Sequence, residues 1–169
     1  MDVLVVDGYN IIGDWDELKR LKDIDLEQAR NRLIEKMAEY KAFTGYRVII
    51  VFDAFYVSGT ANKLKEYRVE IIYTKENETA DERIEKLVTS LKNVVNQVYV
   101  ATSDYAEQRI IFGRGALRKS ARELYIELID MEVDIQESIK QHKKTKKPTK
   151  ITLTNDILEK FEKWRRGNE

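Results

Sequence analysis

The chain has 169 residues, of which 43% are hydrophobic and 36% charged, enough for one domain with a tail to bury a core without covalent staples. Lys and Arg number 30 and Asp and Glu number 30, so net charge selects no partner, and the lack of cysteine excludes disulfides, zinc–thiolate sites and thiol nucleophiles. No apolar run approaches the roughly 20 residues of a membrane helix, and the run between Asp2 and Asp7 is too short for a signal peptide, so the expectation is a cytoplasmic protein with no membrane partner.

The first element, VLVVD at 3–7, reads as a buried strand that ends in Asp7-Gly8-Tyr9-Asn10. A helix follows over 26–42, with Leu26, Ala29, Leu33, Met37 and Tyr40 on one face. RVIIVFDA at 47–54 is a second buried strand and VEIIYT at 69–74 a third, with no clear helix between them, which leaves their order open. A helix over 80–93 places Ile84, Leu87, Val88 and Leu91 on its apolar face, and QVYVATSD at 97–104 is the fourth strand. Buried strands separated by helices predict an α/β fold with a mainly parallel sheet covered on both faces.

After Asp104 the pattern is helical, first over 105–112, where Gly113 and Gly115 break it, then over 116–141. Leu117, Ala121, Leu124, Leu128, Met131 and Ile135 step by four and three along that second helix as one stripe. KKTKKPTK at 143–150 holds the only proline and reads as a basic linker. Thr154 then caps a last helix whose apolar face is Ile157, Leu158, Phe161 and Trp164.

Three of the four strands end in an aspartate, Asp7, Asp53 and Asp104, and Asp81 opens the helix after the third. The C-terminal ends of parallel strands share one edge, and ligands bind in the crevice outside it. Carboxylates gathered there repel one another, and a divalent cation removes the penalty. Hard oxygen ligands suit Mg²⁺ or Mn²⁺, ions that serve phosphoryl displacement. Neither GxxxxGK[ST] nor GxGxxG is present to grip a nucleotide tail. In this reading Asp7 is the anchor ligand. Gly8 lets the backbone turn sharply and approach the ligand, and Asn10 orients a water or holds the loop. Each residue also has a plainer reading. Asp7-Gly8 is an ordinary strand-to-loop turn, Asp53 a turn residue, and Ser103 or Asp104 a helix cap. Thr79 and Glu82 fit a capping box, in which Asp81 only favours the helix dipole. The shared placement of the acids after strands, rather than any single acid, carries the metal reading.

D-G-Y-N at 7–10, V-F-D-A at 51–54, T-A-D-E-R-I at 79–84 and A-T-S-D at 101–104 together resemble the NYN domain of the PIN-like nuclease superfamily. Within it, K-E-N-E-T-A-D-E-R-I-E-K-L at 75–87 and G-A-L-R-K-S-A-R-E-L at 115–124 are similar to the YacP-like bacterial proteins. The resemblance implies a Rossmann-like three-layer sandwich of PIN type with C-terminal helices. Residues 1–142 would form the nuclease domain, and 143–169 a basic linker and a helix packed as an extension. It implies a Mg²⁺- or Mn²⁺-dependent endoribonuclease that cuts mRNA in association with the ribosome. Asp7, Asp81 and Asp104 match the acidic metal positions and Asn10 the family's amide. Glu82 and Asp53 are possible additional acids, and Glu107 is only an approximate match for a further one.

RGALRKSAR at 114–122 contains no acid. On a helix Arg118 and Arg122 share a face, with Arg114 extending it and Lys119 beside it, a basic patch suited to RNA phosphates. The linker lysines, and Lys163, Arg165 and Arg166 beside Trp164, read as a solvated run or a ribosomal contact. Tyr9 and Tyr105 adjoin motif acids and could stack on bases or simply pack, while His142, the only histidine, is expected to be an exposed bystander. A haloacid-dehalogenase-like phosphatase needs a second acid where Tyr9 stands, and a receiver domain needs paired acids after the first strand. The alternative from another class is a noncatalytic RNA- or ribosome-binding adaptor with a vestigial metal site. Oligomeric state is not legible in the sequence.

Overall fold

The computed structural model describes residues 1–54, 64–66, 68–95, 97–104, 106, 109, 111, 113–145, 159–160, 162–163 and 165–167. The first strand, β1 (Val3–Asp7), is buried at all five positions. β2 (Arg47–Phe52) and β5 (Val98–Ala101) flank it, and both run parallel to it, with Val3 opposite Arg47 and Val98. β4 (Val69–Tyr73) lies parallel outside β2, and the short β3 (Leu64–Glu66) pairs antiparallel with β4 at that rim. β6 (Leu117–Lys119) closes the other rim, parallel to β5. The order is β3-β4-β2-β1-β5-β6, which settles the arrangement that the sequence left open between the second and third strands.

Side-chain alternation divides the core into two halves. Leu4, Val6, Val48, Ile50, Phe52, Ile71 and Ala101 face α1 (Gly8–Asp14), α2 (Asp16–Ile24), α3 (Leu26–Thr44) and the first turns of α5 (Ala121–Thr145). Val3, Val5, Ile49, Val51, Ile72, Val98 and Val100 face α4 (Ala80–Leu91), with Ile111 and Ala116 beside it. Apolar residues are needed on both faces of each central strand, which is why these strands read as unbroken apolar runs.

Four expectations are corrected. Gly8 does not open a loop: the helix α1 starts there, and α2 follows after Trp15. Both escape a periodicity reading, since α1 has seven residues, two of them glycine, and α2 buries only Leu18. Residues 117–119 are the strand β6 and not the start of a helix over 116–141. Gly115, at φ 82°, redirects the chain before it. The helix α5 begins at Ala121 with a reciprocal capping box. Ser120 Oγ accepts from the Glu123 amide at 3.0 Å, and Glu123 Oε2 accepts from the Ser120 amide at 3.2 Å. The buried stripe of α5 is Ala121, Leu124, Leu128 and Met131, while Leu117 and Ile135 are exposed. Among the described residues β3 is a strand that the sequence reading omitted.

The chain divides into two compact units, Met1–Glu132 and Val133–Glu169. The first holds the sheet. The second holds the remainder of α5 and helical residues at 159–160, 162–163 and 165. The linker beyond Thr145, the cap Thr154, the apolar positions Ile157, Leu158, Phe161 and Trp164, and Tyr105 and Glu107 lie outside the described residues. Among the described residues no helix is long and apolar enough to cross a membrane.

Candidate active site

β1, β2, β4, β5 and β6 are parallel, so the segments that follow them emerge at one edge. Asp7 is the last residue of β1 and continues the parity of Val3 and Val5, which directs it to the α4 side. It is only 7% exposed. Beside it, buried Thr102 follows β5. Thr102 Oγ1 donates to Asp7 Oδ2 at 3.5 Å and accepts from the Asp104 amide at 3.1 Å. One hydroxyl thus ties the two carboxylate-bearing segments together. Asp104 Oδ1 in turn accepts from the Ala106 amide at 2.9 Å, as a helix-capping aspartate does.

Asn10, on the first turn of α1, reaches across the edge and accepts from the Ser103 amide through Oδ1 at 2.8 Å. Of its two anticipated roles, holding the loop is the one seen. Ser103 Oγ accepts from the Ala121 amide at 3.2 Å and joins the same loop to the start of α5. After β4, buried Thr74 accepts through Oγ1 from the amide of Ala54, the residue after Asp53, at 2.9 Å. Thr74 and Thr102 were not singled out from the sequence, and Ser103 was read there only as a helix cap. The available signal was a hydroxyl residue directly after two buried strands, in Tyr73-Thr74 and Ala101-Thr102.

Asp81 stands in the first turn of α4, where Thr79 Oγ1 accepts from the Glu82 amide at 3.2 Å, the cap expected from the sequence. A helix N-terminus normally favours ionised carboxylates. Asp81 is nevertheless held above the usual carboxylate range, first by burial and then by the charges of Asp104, Asp53 and Glu82. Acids from three segments of the chain therefore act on one another at this edge. Among the described residues no three of them are already drawn into a ligand set for a metal ion. The donors are hard oxygens and their repulsion is the kind a divalent cation relieves, so the residues fit Mg²⁺ or Mn²⁺ by chemistry.

The basic candidates do not share a helix face. Arg118 and Lys119 are neighbours on β6 and point to opposite sides of the sheet. Arg118, opposite Val100, is on the side of α4 and Asp7, and its Nε donates to the Thr102 carbonyl at 3.5 Å. Lys119, opposite Ala101, is drawn to the other side. Its Nζ lies 2.8 Å from Glu127, 3.3 Å from the Tyr40 hydroxyl and 4.9 Å from the centre of the Tyr99 ring. Arg114 pairs with Glu85 of α4 at 2.6 Å, and Arg122 is exposed on α5. A hollow of about 480 Å³, lined by Glu82, Glu85, Lys86 and Arg114 among others, runs along α4 beside the acids.

Tyr9 packs at 5.1 Å from Phe52, which stacks on Tyr73 at 5.8 Å. The Tyr9 hydroxyl accepts from Arg30 at 3.1 Å. This packing explains Gly8: a Cβ there would lie 2.3 Å from the Phe52 ring. The glycine is required by a close approach to an aromatic side chain, not by a sharp turn or by contact with a ligand.

The model of the YacP-like NYN domain matches residues 4–166. YacP of Bacillus subtilis (strain 168) is 56% identical over 168 residues, which span 99% of each chain. Crystal structures of Rae1 (YacP) from Bacillus subtilis superpose with a TM-score of 0.76 at 56% identity, covering 99% of this chain and 96% of that one. A tryptophan-to-leucine variant of the same protein gives a TM-score of 0.76 at 53% identity, with the same coverage.

Proposed function

The chain belongs to the YacP-like NYN family, a nuclease-type domain, and from that premise we propose that it is a metal-dependent endoribonuclease that hydrolyses mRNA in association with the ribosome. The observation that carries this reading is the convergence of Asp53, Glu82 and Asp104 on Asp81 at the C-terminal edge of the sheet. A folded protein gains nothing from such repulsion unless a cation uses it.

Asp7, Asp81 and Asp104 would hold Mg²⁺ or Mn²⁺, with Asp53 and Glu82 as additional acids. A divalent ion so bound supplies an activated water and a counter-charge for the leaving oxygen of the phosphodiester. The chain's own residues do the positioning. Thr102 sets Asp7 and Asp104 against each other, and Asn10 holds the Ser103 amide and with it the Asp104 loop. Arg118 brings a cation to the same face of the sheet, where an RNA phosphate would otherwise meet only acids. Arg114 and Arg122 extend the basic surface. Lys119 would contribute to RNA binding only by releasing Glu127.

One observation favours the adaptor reading: among the described residues no three acids stand ready as ligands. Cleavage of naked and of translating mRNA with Mn²⁺ or Mg²⁺ separates the two. Wild type is expected to cut, and Asp7→Asn to lose roughly 10³-fold or more while keeping its fold. RNA binding without cleavage by wild type in both settings would establish the adaptor. Cleavage confined to translating mRNA would make the ribosome part of the active complex.

A further inference from the structure

At the other end of the sheet, where β1, β2 and β4 begin, lies a hollow of about 370 Å³. Lys41, Tyr46, Arg47, Arg68 and Glu70 contribute to its lining, so three cations face it and one acid. Arg47 meets Glu70 through two hydrogen bonds, Nε to Oε2 at 3.0 Å and Nη2 to Oε1 at 3.2 Å, which fix the guanidinium in place. Lys41 Nζ donates to the Arg68 carbonyl. The exposed Arg68 side chain has no hydrogen bond or ion pair among the described residues.

Arg68 precedes β4 at φ 66° and is the one non-glycine with positive φ among the described residues. Glycine would take that conformation without the clash of a Cβ. The conformation belongs to the two-residue link between the paired Glu66 and Val69, and an arginine rather than a glycine fills it at the rim of the hollow. The Glu70 charge offsets one basic side chain and leaves two, Lys41 and Arg68, lining one concave surface with an excess of positive charge. An anion relieves this, and guanidinium groups match phosphate oxygens in pairs.

We propose that this hollow binds a phosphate of the RNA strand, remote from the acid edge. The proposal rests on RNA being the substrate. β2 joins the two places: it begins at Arg47 and ends one residue before Asp53, a span of about 20 Å. A single strand lying along the molecule would place one phosphate at Arg68 while another meets the acids. The hollow then acts as an anchor that sets affinity and leaves the chemistry to the acid edge.

The test is fluorescence anisotropy of a labelled single strand of about 15 nucleotides, bound to the full chain in EDTA over a range of salt. Arg68→Gly suits the backbone and is expected to keep or raise Tm. It should weaken binding by about fivefold and flatten the slope of log affinity against log salt by about 0.7, the value for one phosphate contact on a single strand. Arg68→Lys should recover part of the loss. Unchanged affinity and slope in Arg68→Gly would overturn the proposal and leave the nuclease reading intact. Heat protection by inorganic phosphate in wild type but not in Arg68→Gly, with equal RNA affinity, would overturn RNA as the occupant. Wild type that binds no free strand would also overturn the proposal, while the nuclease reading is decided separately by cleavage of translating mRNA.

Discussion

Two groups of partly buried polar side chains flank β5 and β6 on opposite faces of the sheet, and they are built on opposite rules. Behind β6, Lys119 meets Glu127, the Tyr40 hydroxyl and the Tyr99 ring, and Tyr46 stacks on Tyr99 at 5.8 Å. Every charge there has a counter-charge, and Tyr40 keeps its proton far up the scale because burial and Glu127 both oppose its ionisation. In front, Asp53, Asp81, Glu82 and Asp104 crowd with charges of one sign. The first cluster adds to the pairing with β5 in holding an edge strand of three residues. In the second, the repulsion on Asp81 works against folding, and the proposed divalent ion would relieve it.

Substitutions should move the two clusters in opposite directions. The largest change in stability is expected from Lys119→Met, which removes the counter-charge of Glu127 and leaves that carboxylate to the Tyr40 hydroxyl, and it should cost about 1 kcal/mol in chemical denaturation. Cleavage by the folded fraction should persist. A denaturation midpoint equal to that of wild type would dissolve the contrast.

A smaller shift of opposite sign is expected from Asp81→Asn. The Asp81 carboxyl binds its proton more tightly in the folded chain than at its ordinary value of 3.8. Its ionised form therefore destabilises the fold. That cost is fully present above the folded-state value and vanishes as pH falls below the unfolded one. In EDTA the Asn variant should melt above wild type at neutral pH, and the gap should close as pH drops through the carboxylate range. A variant that melts lower at pH 7 would mean that Asp81 is compensated after all.

The sequence disclosed most of the sheet and the acids for one reason. β1, β2, β4 and β5 are short and mostly apolar, and Asp7 closes the first, Asp53 follows the second at once and Asp104 stands three residues past the last. The basic patch was misread for an equally physical reason. Leu117 falls four residues before Ala121, so the apolar stripe of α5 runs backward into β6 without a break in period. The Ser120–Glu123 capping signature marked the true start of the helix, and with it the alternation that sends Arg118 and Lys119 to opposite faces. The hydroxyls of Thr74 and Thr102 could not be ranked from sequence, since their role exists only once β4 lies beside β2 and β5 beside β1. Gly8 was noticed as permissive backbone, whereas Phe52, distant in sequence, is what requires it.

A nuclease of the proposed kind must take up a divalent ion at the acid edge. Titration calorimetry with Mn²⁺ on wild type and Asp7→Asn, paired with Tm at each concentration, measures this without RNA. Saturable binding to wild type with a rising Tm, and loss of both in Asp7→Asn, is the predicted result. Equal Mn²⁺ binding by the two proteins, or none by wild type, would contradict it.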